Sequence, residues 1–379
     1  MVRNPYSSSC PFHTILLLTR HVSFLKGCSR AQRLLKRGDT DFIYSTVRNG
    51  GFDLYINNGH ADTSVPGDAI FLADLDGDGL DDYISSDNDG KIIAYLNGGP
   101  DPSAYLGWSW KPQNKGDPIA LGVGARRDQI RFANIYGHGR ADYLVIDDES
   151  GAVEAWENGG PDDSSIGAWK WIPRGQIATG IGEGAGVRFA DYDGDGRDDY
   201  IWLSEEGKAI IYINYVGEIA ENWKGLNDGK YIALGVGARR EDVQIADLDG
   251  DGRADYIWVH PFDGSINVWR NAFDKGPGTW EPYDKKLALG VGVAGANVHF
   301  ARLNGEHTGR ADYVVVEPGS GGLRVWLNLC DKLAPGKDFS EHRLSKRVML
   351  TPLVLRPGKQ RRRKWSSCRH ASEQQQPSL

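Results

Sequence analysis

Cysteine is scarce in this chain and poorly placed for a structural role. Cys10, Cys28, Cys330 and Cys368 lie outside or at the edge of the patterned part of the sequence, which excludes a disulfide framework for that part. Methionine occurs only 2 times. The longest apolar runs fall well short of the roughly eighteen residues that a membrane-spanning helix needs. The apolar stretch that begins near Thr14 is also too short, and too far from a small-residue cleavage site, for a persuasive export signal. No Asn-x-Ser/Thr sequon is present. Acid is missing from residues 1–37, which carry seven Lys/Arg, and is outnumbered in residues 330–379, with four acids against twelve Lys/Arg. The formal net charge of -7 therefore conceals a strongly acidic middle, with 47 acidic and 25 basic groups in residues 38–329. Such a body repels phosphate backbones and attracts cations, which argues against nucleic acid as a partner.

What is abundant is glycine, at 49, and tryptophan, at 12. This profile suits many short strands joined by tight turns. One segment organises the rest. DYDGDGRDDYIW, from Asp191, recurs as DLDGDGLDDYIS from Asp74 and as DLDGDGRADYIW from Asp247. Carboxylates at loop positions 1, 3, 5 and 9, with glycine at 6, make an oxygen cage for a hard cation, and calcium suits it best. Position 12 carries Ser85, Trp202 or Trp258 where an EF-hand needs glutamate, and the residues after the last Asp are β-branched and aromatic. The loop therefore joins two strands.

Taking the ninth-position Asp as a marker gives Asp41, Asp82, Asp142, Asp199, Asp255 and Asp312, at intervals of 41, 60, 57, 56 and 57 residues. Four blocks recur in each unit. A strand enters the loop, a second leaves it, a Gly-containing turn (Asp89-Gly90, Ser150-Gly151, Glu206-Gly207, Asp263-Gly264) leads to a third, and a Trp-bearing block such as GWSWKPQ or AWKWIPR is followed by IALGVGA or a relative. Four short strands per unit make a propeller blade, so the expected fold is all-β, with about five to six antiparallel blades. Gly38–Gly59 reads as the second half of a unit whose first half is missing, and the last unit ends near Leu329 without its Trp block. Closure of the ring is left open at this level. Two loops have lost their carboxylates, at Asn134, Tyr136 and His138 and at Arg302, and are expected to be metal-free. Residues 1–37 read as a poorly ordered basic segment and residues 330–379 as a disordered basic tail with a Gln-rich end.

This cadence resembles the FG-GAP or VCBS repeat, whose members form integrin-α-like β-propellers with calcium in DxDxDGxxD loops. The run FADYDGDGRDDYIWL, NGGP, WKWIP is similar to repeats of secreted fungal proteins that are often joined to an SGNH-type esterase domain. The resemblance covers about Gly38 to Leu329 and implies an extracellular setting. Family propellers usually have seven blades, more than are counted here, and no GDS-type nucleophile segment is present.

Three calcium sites are expected: Asp74, Asp76, Asp78 and Asp82 with the Leu80 carbonyl; Asp191, Asp193, Asp195 and Asp199 with the Arg197 carbonyl; and Asp247, Asp249, Asp251 and Asp255 with the Arg253 carbonyl. Trp108, Trp110, Trp169, Trp171, Trp223 and Trp280 recur once or twice per unit. They are read either as wedges between blades or as platforms for sugar rings, and within a WxW pair both rings share a sheet face. His138 and His307 have no catalytic partner at meaningful spacing. Arg37-Gly38-Asp39 is a coincidental adhesion tripeptide, and Arg361 to Lys364 a stray basic run. The leading functional reading is a non-catalytic, calcium-stabilised, monomeric module that binds glycan, cell-wall polysaccharide or a surface. The alternative is a passive scaffold or accessory region of a secreted hydrolase whose catalytic domain is not in this chain. A propeller enzyme comes last, because every acid cluster belongs to the repeat.

Overall fold

The computed structural model describes residues 65–101, 108–217, 222–283, 287–304 and 309–328, with the backbone of three further strands, Phe42–Ser45, Phe52–Tyr55 and Thr351–Pro352. Asp41, His307, the Arg37-Gly38-Asp39 tripeptide and the Arg361 to Lys364 run lie outside these residues.

Five antiparallel sheets follow one another along the chain. Blade 1 is Ile70–Ala73, Asp82–Ser86, Lys91–Pro100 and Trp108–Pro112; blade 2 is Ile130–Ala133, Asp142–Ile146, Val153–Pro161 and Trp169–Ala178. Blade 3 is Val187–Ala190, Asp199–Leu203, Ala209–Asn214 and Trp223–Gly225; blade 4 is Val243–Ala246, Asp255–Val259, Ile266–Asn271 and Trp280–Pro282. Blade 5 takes Val298–Ala301, Asp312–Val316 and Leu323–Leu327 from the end of the repeat region and the hairpin Phe42–Ser45/Phe52–Tyr55 from its beginning, through the pairing of Leu54 with Leu323. A single 3-10 turn opens each blade, as at Gly67–Ala69 and Arg127–Gln129, and no α-helix occurs among the described residues. Among the described residues no helix is long and apolar enough to cross a membrane.

The ring closes. The N–H just before the second strand donates to the first loop residue of the preceding blade: Ala141 to Asp74 O at 2.6 Å, Asp198 to Asn134 O at 2.9 Å, Ala254 to Asp191 O at 2.7 Å and Ala311 to Asp247 O at 2.8 Å. The fifth bond of the series, Asp81 to Arg302 O at 2.7 Å, joins blade 1 to blade 5. A second series repeats the closure. The tyrosine after the ninth-position Asp sends its hydroxyl to a glycine carbonyl of the preceding blade, from Tyr143 to Gly90, Tyr200 to Gly151, Tyr256 to Gly207, Tyr313 to Gly264 and Tyr83 to Gly321. Burial raises all five phenols above their ordinary range, so they remain neutral donors.

The hydrophobic core is divided among the blade boundaries. Between blades 2 and 3, for example, Leu144, Ile146, Val153 and Ala155 meet Val187 and Tyr200, and burying an aliphatic side chain of this size is worth roughly 1.5–3 kcal/mol. Of residues 330–379, expected to be a disordered basic tail, only the backbone of Thr351–Pro352 is among the described residues. Thr351–Pro352 pairs with Leu327 and Trp326, just as Pro282 pairs with Trp269 in blade 4, so part of the tail occupies a fourth-strand position of blade 5.

First strands of adjacent blades approach one another and so line the axis. Their second residues are Phe71, Arg131, Arg188, Gln244 and His299. Burial depresses the His299 imidazole to about 4. The unfolded chain takes up this proton near the ordinary histidine value of about 6.5, so stability is lost as pH falls from that point through 4. His299→Gln, which copies blade 4, is expected to lose less stability than the parent between pH 7 and pH 4.5. Urea midpoints at the two pH values measure this, and equal losses reject it.

Candidate metal centres

An Asp-Asn staple repeats in all five blades. The ninth-position Asp is buried, and one of its oxygens accepts the N–H of the second loop residue: Leu75 to Asp82 at 2.8 Å, Ile135 to Asp142 at 2.9 Å, Tyr192 to Asp199 at 2.8 Å, Leu248 to Asp255 at 3.1 Å and Leu303 to Asp312 at 3.2 Å. The other oxygen accepts the N–H of an Asn at the far part of the third strand, Asn97, Asn158, Asn214, Asn271 or Asn328. That Asn uses its amide N–H groups on two carbonyls, one in its own blade and one in the preceding blade. Asn158, for instance, reaches Ala141 O and Leu75 O, both at 2.9 Å. Burial pushes Asp82 and Asp199 up to about 8 and Asp142 to about 7, against the opposing pull of their backbone donors. These Asn residues escaped the sequence reading. Their signal was an Asn 15 or 16 residues after each marker Asp.

In blades 1 and 3 the loop wraps around its own carboxylates. Asp74 accepts from the N–H groups of Gly77 at 2.7 Å and Gly79 at 2.8 Å, and Asp191 from Gly194 at 2.7 Å and Gly196 at 2.8 Å. Gly77 and Gly79 have φ of 82° and 88°, which L side chains rarely adopt. Oxygens of Asp74, Asp76 and Asp78, and of Asp191, Asp193 and Asp199, converge to within 4.8 Å of one another, a spread that an ion with ligand bonds of about 2.4 Å can span. Burial raises Asp74 to about 6 and Asp191 to about 7, and also raises Asp76 and Asp193. The donor set in these two blades thus fits a hard cation. Asp199 joins its cluster, whereas Asp82 and Asp255 lie outside theirs by the same measure. Each ninth-position carboxylate is already engaged by two backbone N–H groups. Blade 4 brings Asp247, Asp249 and Asp251 together in the same way, but two arginines contact that group.

Blade 2 has no converging carboxylates in its loop. His138 Nε2 lies 3.2 Å from Glu157, Arg174 also pairs with Glu157, and the Arg174 guanidinium sits over the Tyr136 ring. At the first loop position of blade 5, the Arg302 N–H donates to Asp81 Oδ2 at 2.6 Å.

Of the two readings of the tryptophans, wedge or platform, the packing favours the wedge. Trp108 and Trp169 are buried, with relative exposures of 7% and 1%, and each indole N–H donates to the stapling Asn at 2.8 Å. Trp110, Trp171, Trp223 and Trp280 stand edge-to-face against Tyr83, Tyr143, Tyr200 and Tyr256 at the boundary with the preceding blade. Trp171 and Trp223 also donate to Ile119 O and Ile177 O across that boundary. Both members of each WxW pair turn inward, as strand alternation requires.

Exposed apolar groups occur elsewhere. Leu121, Val123, Leu234 and Leu289, from the Leu-Gly-Val-Gly segments, and Ile181, from the Thr-Gly-Ile-Gly segment of blade 2, are exposed, Leu234 at 79%. These segments lie against the turns between second and third strands, as at Gly122 beside Asp89 O and Gly290 beside Asp263 O. Those turns are at the opposite end of the second strand from the metal loops, so the aliphatic groups belong to the opposite face of the ring.

Residues 134–202 match the family described as FG-GAP-like repeat. No curated protein matches the chain in sequence. Among solved structures, the chain is similar to an Agrocybe aegerita lectin described as recognising non-reducing terminal N-acetylglucosamine, with 24% identity over 77% of this chain and 71% of that one and a TM-score of 0.40. It is also similar to the BP39L lectin of Burkholderia pseudomallei, with 16% identity over 76% and 77% of the two chains and a TM-score of 0.37. A third similarity is to the Photorhabdus luminescens Tc holotoxin pore, with 18% identity over 75% of this chain but 13% of that one and a TM-score of 0.37. With its five staples and its loop spacing, this chain is a five-bladed β-propeller whose residues 134–202 match the FG-GAP-like repeat.

Proposed function

We propose that this propeller is a non-catalytic module, stabilised by calcium, that binds carbohydrate through the face opposite its metal loops. The observation that carries this reading is the recurrence of exposed Leu121, Leu234 and Leu289 at one segment position, with Ile181 exposed two positions further along its own segment, on one face. Polar turns that include Asp89, Ser150, Glu206 and Asp263 lie beside these segments. Apolar groups interleaved with hydrogen-bonding groups suit a sugar ring, which has an apolar face and a hydroxylated rim. Repetition around a rigid ring supplies several weak sites at once, so avidity replaces a single tight pocket. A non-catalytic role is supported by the strongly raised carboxylates Asp82, Asp142, Asp199 and Asp255, whose burial and backbone partners belong to the repeated staple. If calcium binds in blades 1 and 3, the loop carboxylates hold it and its charge offsets theirs, so its part is structural.

The full chain is expected to be retained on a panel of glycans and cell-wall polysaccharides. Leu234→Asp combined with Leu289→Asp is expected to reduce retention at least tenfold while leaving the melting curve within a few degrees, because both side chains face solvent. Lack of retention by the parent protein rejects the carbohydrate reading in favour of a scaffold role; undiminished retention by the double variant rejects this face.

A further inference from the structure

Blades 1, 3 and 4 carry one loop motif, but their third strands place different residues beside it. The residue immediately before the stapling Asn is Leu96 in blade 1, Ile213 in blade 3 and Arg270 in blade 4. From that position Arg270 reaches back into its loop. Its Nε donates to Asp249 Oδ2 at 2.8 Å and its Nη2 to Asp251 Oδ2 at 2.7 Å. Arg253 Nη2 donates to the same Asp251 oxygen at 2.6 Å, and the Tyr283 hydroxyl to Asp249 Oδ2 at 3.0 Å. Side chains of Arg270, Asp249 and Asp251 are only 11%, 12% and 18% exposed, so these are close contacts in a poorly solvated site.

The remaining oxygens sharpen the contrast. Asp249 Oδ1 accepts from the Asp251 N–H and Asp251 Oδ1 from the Arg253 N–H, which leaves no oxygen of either carboxylate without a donor. In blades 1 and 3 the same backbone bonds occupy Oδ1 of Asp76, Asp78, Asp193 and Asp195. There, among the described residues, the Oδ2 atoms have no hydrogen-bond donor and the four groups have no Lys or Arg ion pair, the Lys111 charge acting on Asp76 only from farther away. A guanidinium fork can bridge two carboxylates with fixed geometry, and a divalent cation placed beside it would meet like charge at short range. Blade 2 follows the same logic with its polarity changed. There the residue before the Asn is Glu157, and it pairs with Arg174 and His138 next to a loop that has lost its acids.

We infer that Arg270 takes the place of a divalent cation in blade 4, so that this chain binds calcium in blades 1 and 3 only, although three of its loops carry the full motif. The inference rests on the calcium reading of the loops and adds a rule: the third-strand residue before the stapling Asn decides how each loop is filled.

Calcium bound to the full chain is to be counted by equilibrium dialysis with metal analysis and by titration calorimetry. The expected count is two. Arg270→Leu, which copies blade 1, is expected to bind three, Arg270→Lys to stay at two, and Leu96→Arg to bind one. A count of three in the parent, or of two in both Arg270→Leu and Leu96→Arg, overturns the inference while leaving calcium binding intact. No calcium in any of these proteins overturns the calcium reading and this inference together. Should Arg270→Leu fail to fold, hydrogen exchange on the parent decides. With chelator, the amides of Gly77, Gly79, Gly194 and Gly196 are expected to lose protection while those of Gly250 and Gly252 keep it, and loss at all six overturns the inference.

Discussion

Asn158→Ala is expected to destabilise the propeller by about 4 kcal/mol, from roughly 1–3 kcal/mol for each buried group left unpaired, and to lower the melting temperature on the order of 10 °C. Asn158 is 1% exposed. Its amide nitrogen donates to Leu75 O and Ala141 O, and its oxygen accepts from the Gly160 N–H and the Trp169 indole. Alanine removes all four partnerships and leaves four polar groups at a boundary that water enters poorly. Blade 2 is the right place for the measurement, because its loop lacks converging carboxylates and calcium does not confuse the result. Trp169→Phe provides a graded comparison: it removes one donor and keeps most of the ring, so a cost of about 1–2 kcal/mol is expected. Chemical denaturation of the two variants tests the ranking. If Asn158→Ala falls within about 1 kcal/mol of the parent, the staple is decoration and the blades are held by apolar contact alone.

The blades themselves were legible because strand alternation, Gly turns and a spacing near 57 residues are local properties that survive without tertiary context. Their number, about five to six, was legible to within one, and the structure has five. Counting ninth-position Asp residues gives six units, but the hairpin Phe42–Ser45/Phe52–Tyr55 joins the sheet of blade 5, so the two ends of the repeat region contribute to one blade. Backbone pairing at Thr351–Pro352 demands little of the sequence, and no local pattern marks it. Tryptophan composition could not separate wedge from platform, since both uses call for a large ring with one polar edge; the partner that fixes Trp169 is Asn158, which reads in sequence as an ordinary turn residue. The metal loops show the opposite limit. Asp247 to Asp255 matches the motif as well as the other copies do, yet Arg270, on a different strand, determines what its carboxylates touch.

Removing calcium with chelator at pH 7.5 is expected to shift the melting curve downward, by an amount set by mass action: about 2.7 kcal/mol for each site held at a hundred times its dissociation constant. The loops of blades 1 and 3 supply the reason. Burial holds the Asp74 carboxyl at about 6 and that of Asp191 at about 7, so without a cation these groups take up protons more readily than in the unfolded chain. The sign follows from that direction. Their protonated forms are favoured by folding, so the stability they contribute to the metal-free protein is present at low pH and declines as pH rises through 6 to 7. Calcium reverses the preference by binding the charged form, and protons compete with it. The difference in melting temperature between calcium-loaded and chelated protein is therefore expected to be largest above pH 7 and to shrink as pH falls through 7 and 6. Asp191→Asn removes one anionic ligand while keeping a side chain that can accept one of the two glycine N–H groups, and should abolish the share due to blade 3. Superimposable melting curves with and without chelator at pH 7.5 would show that backbone hydrogen bonds alone hold these loops.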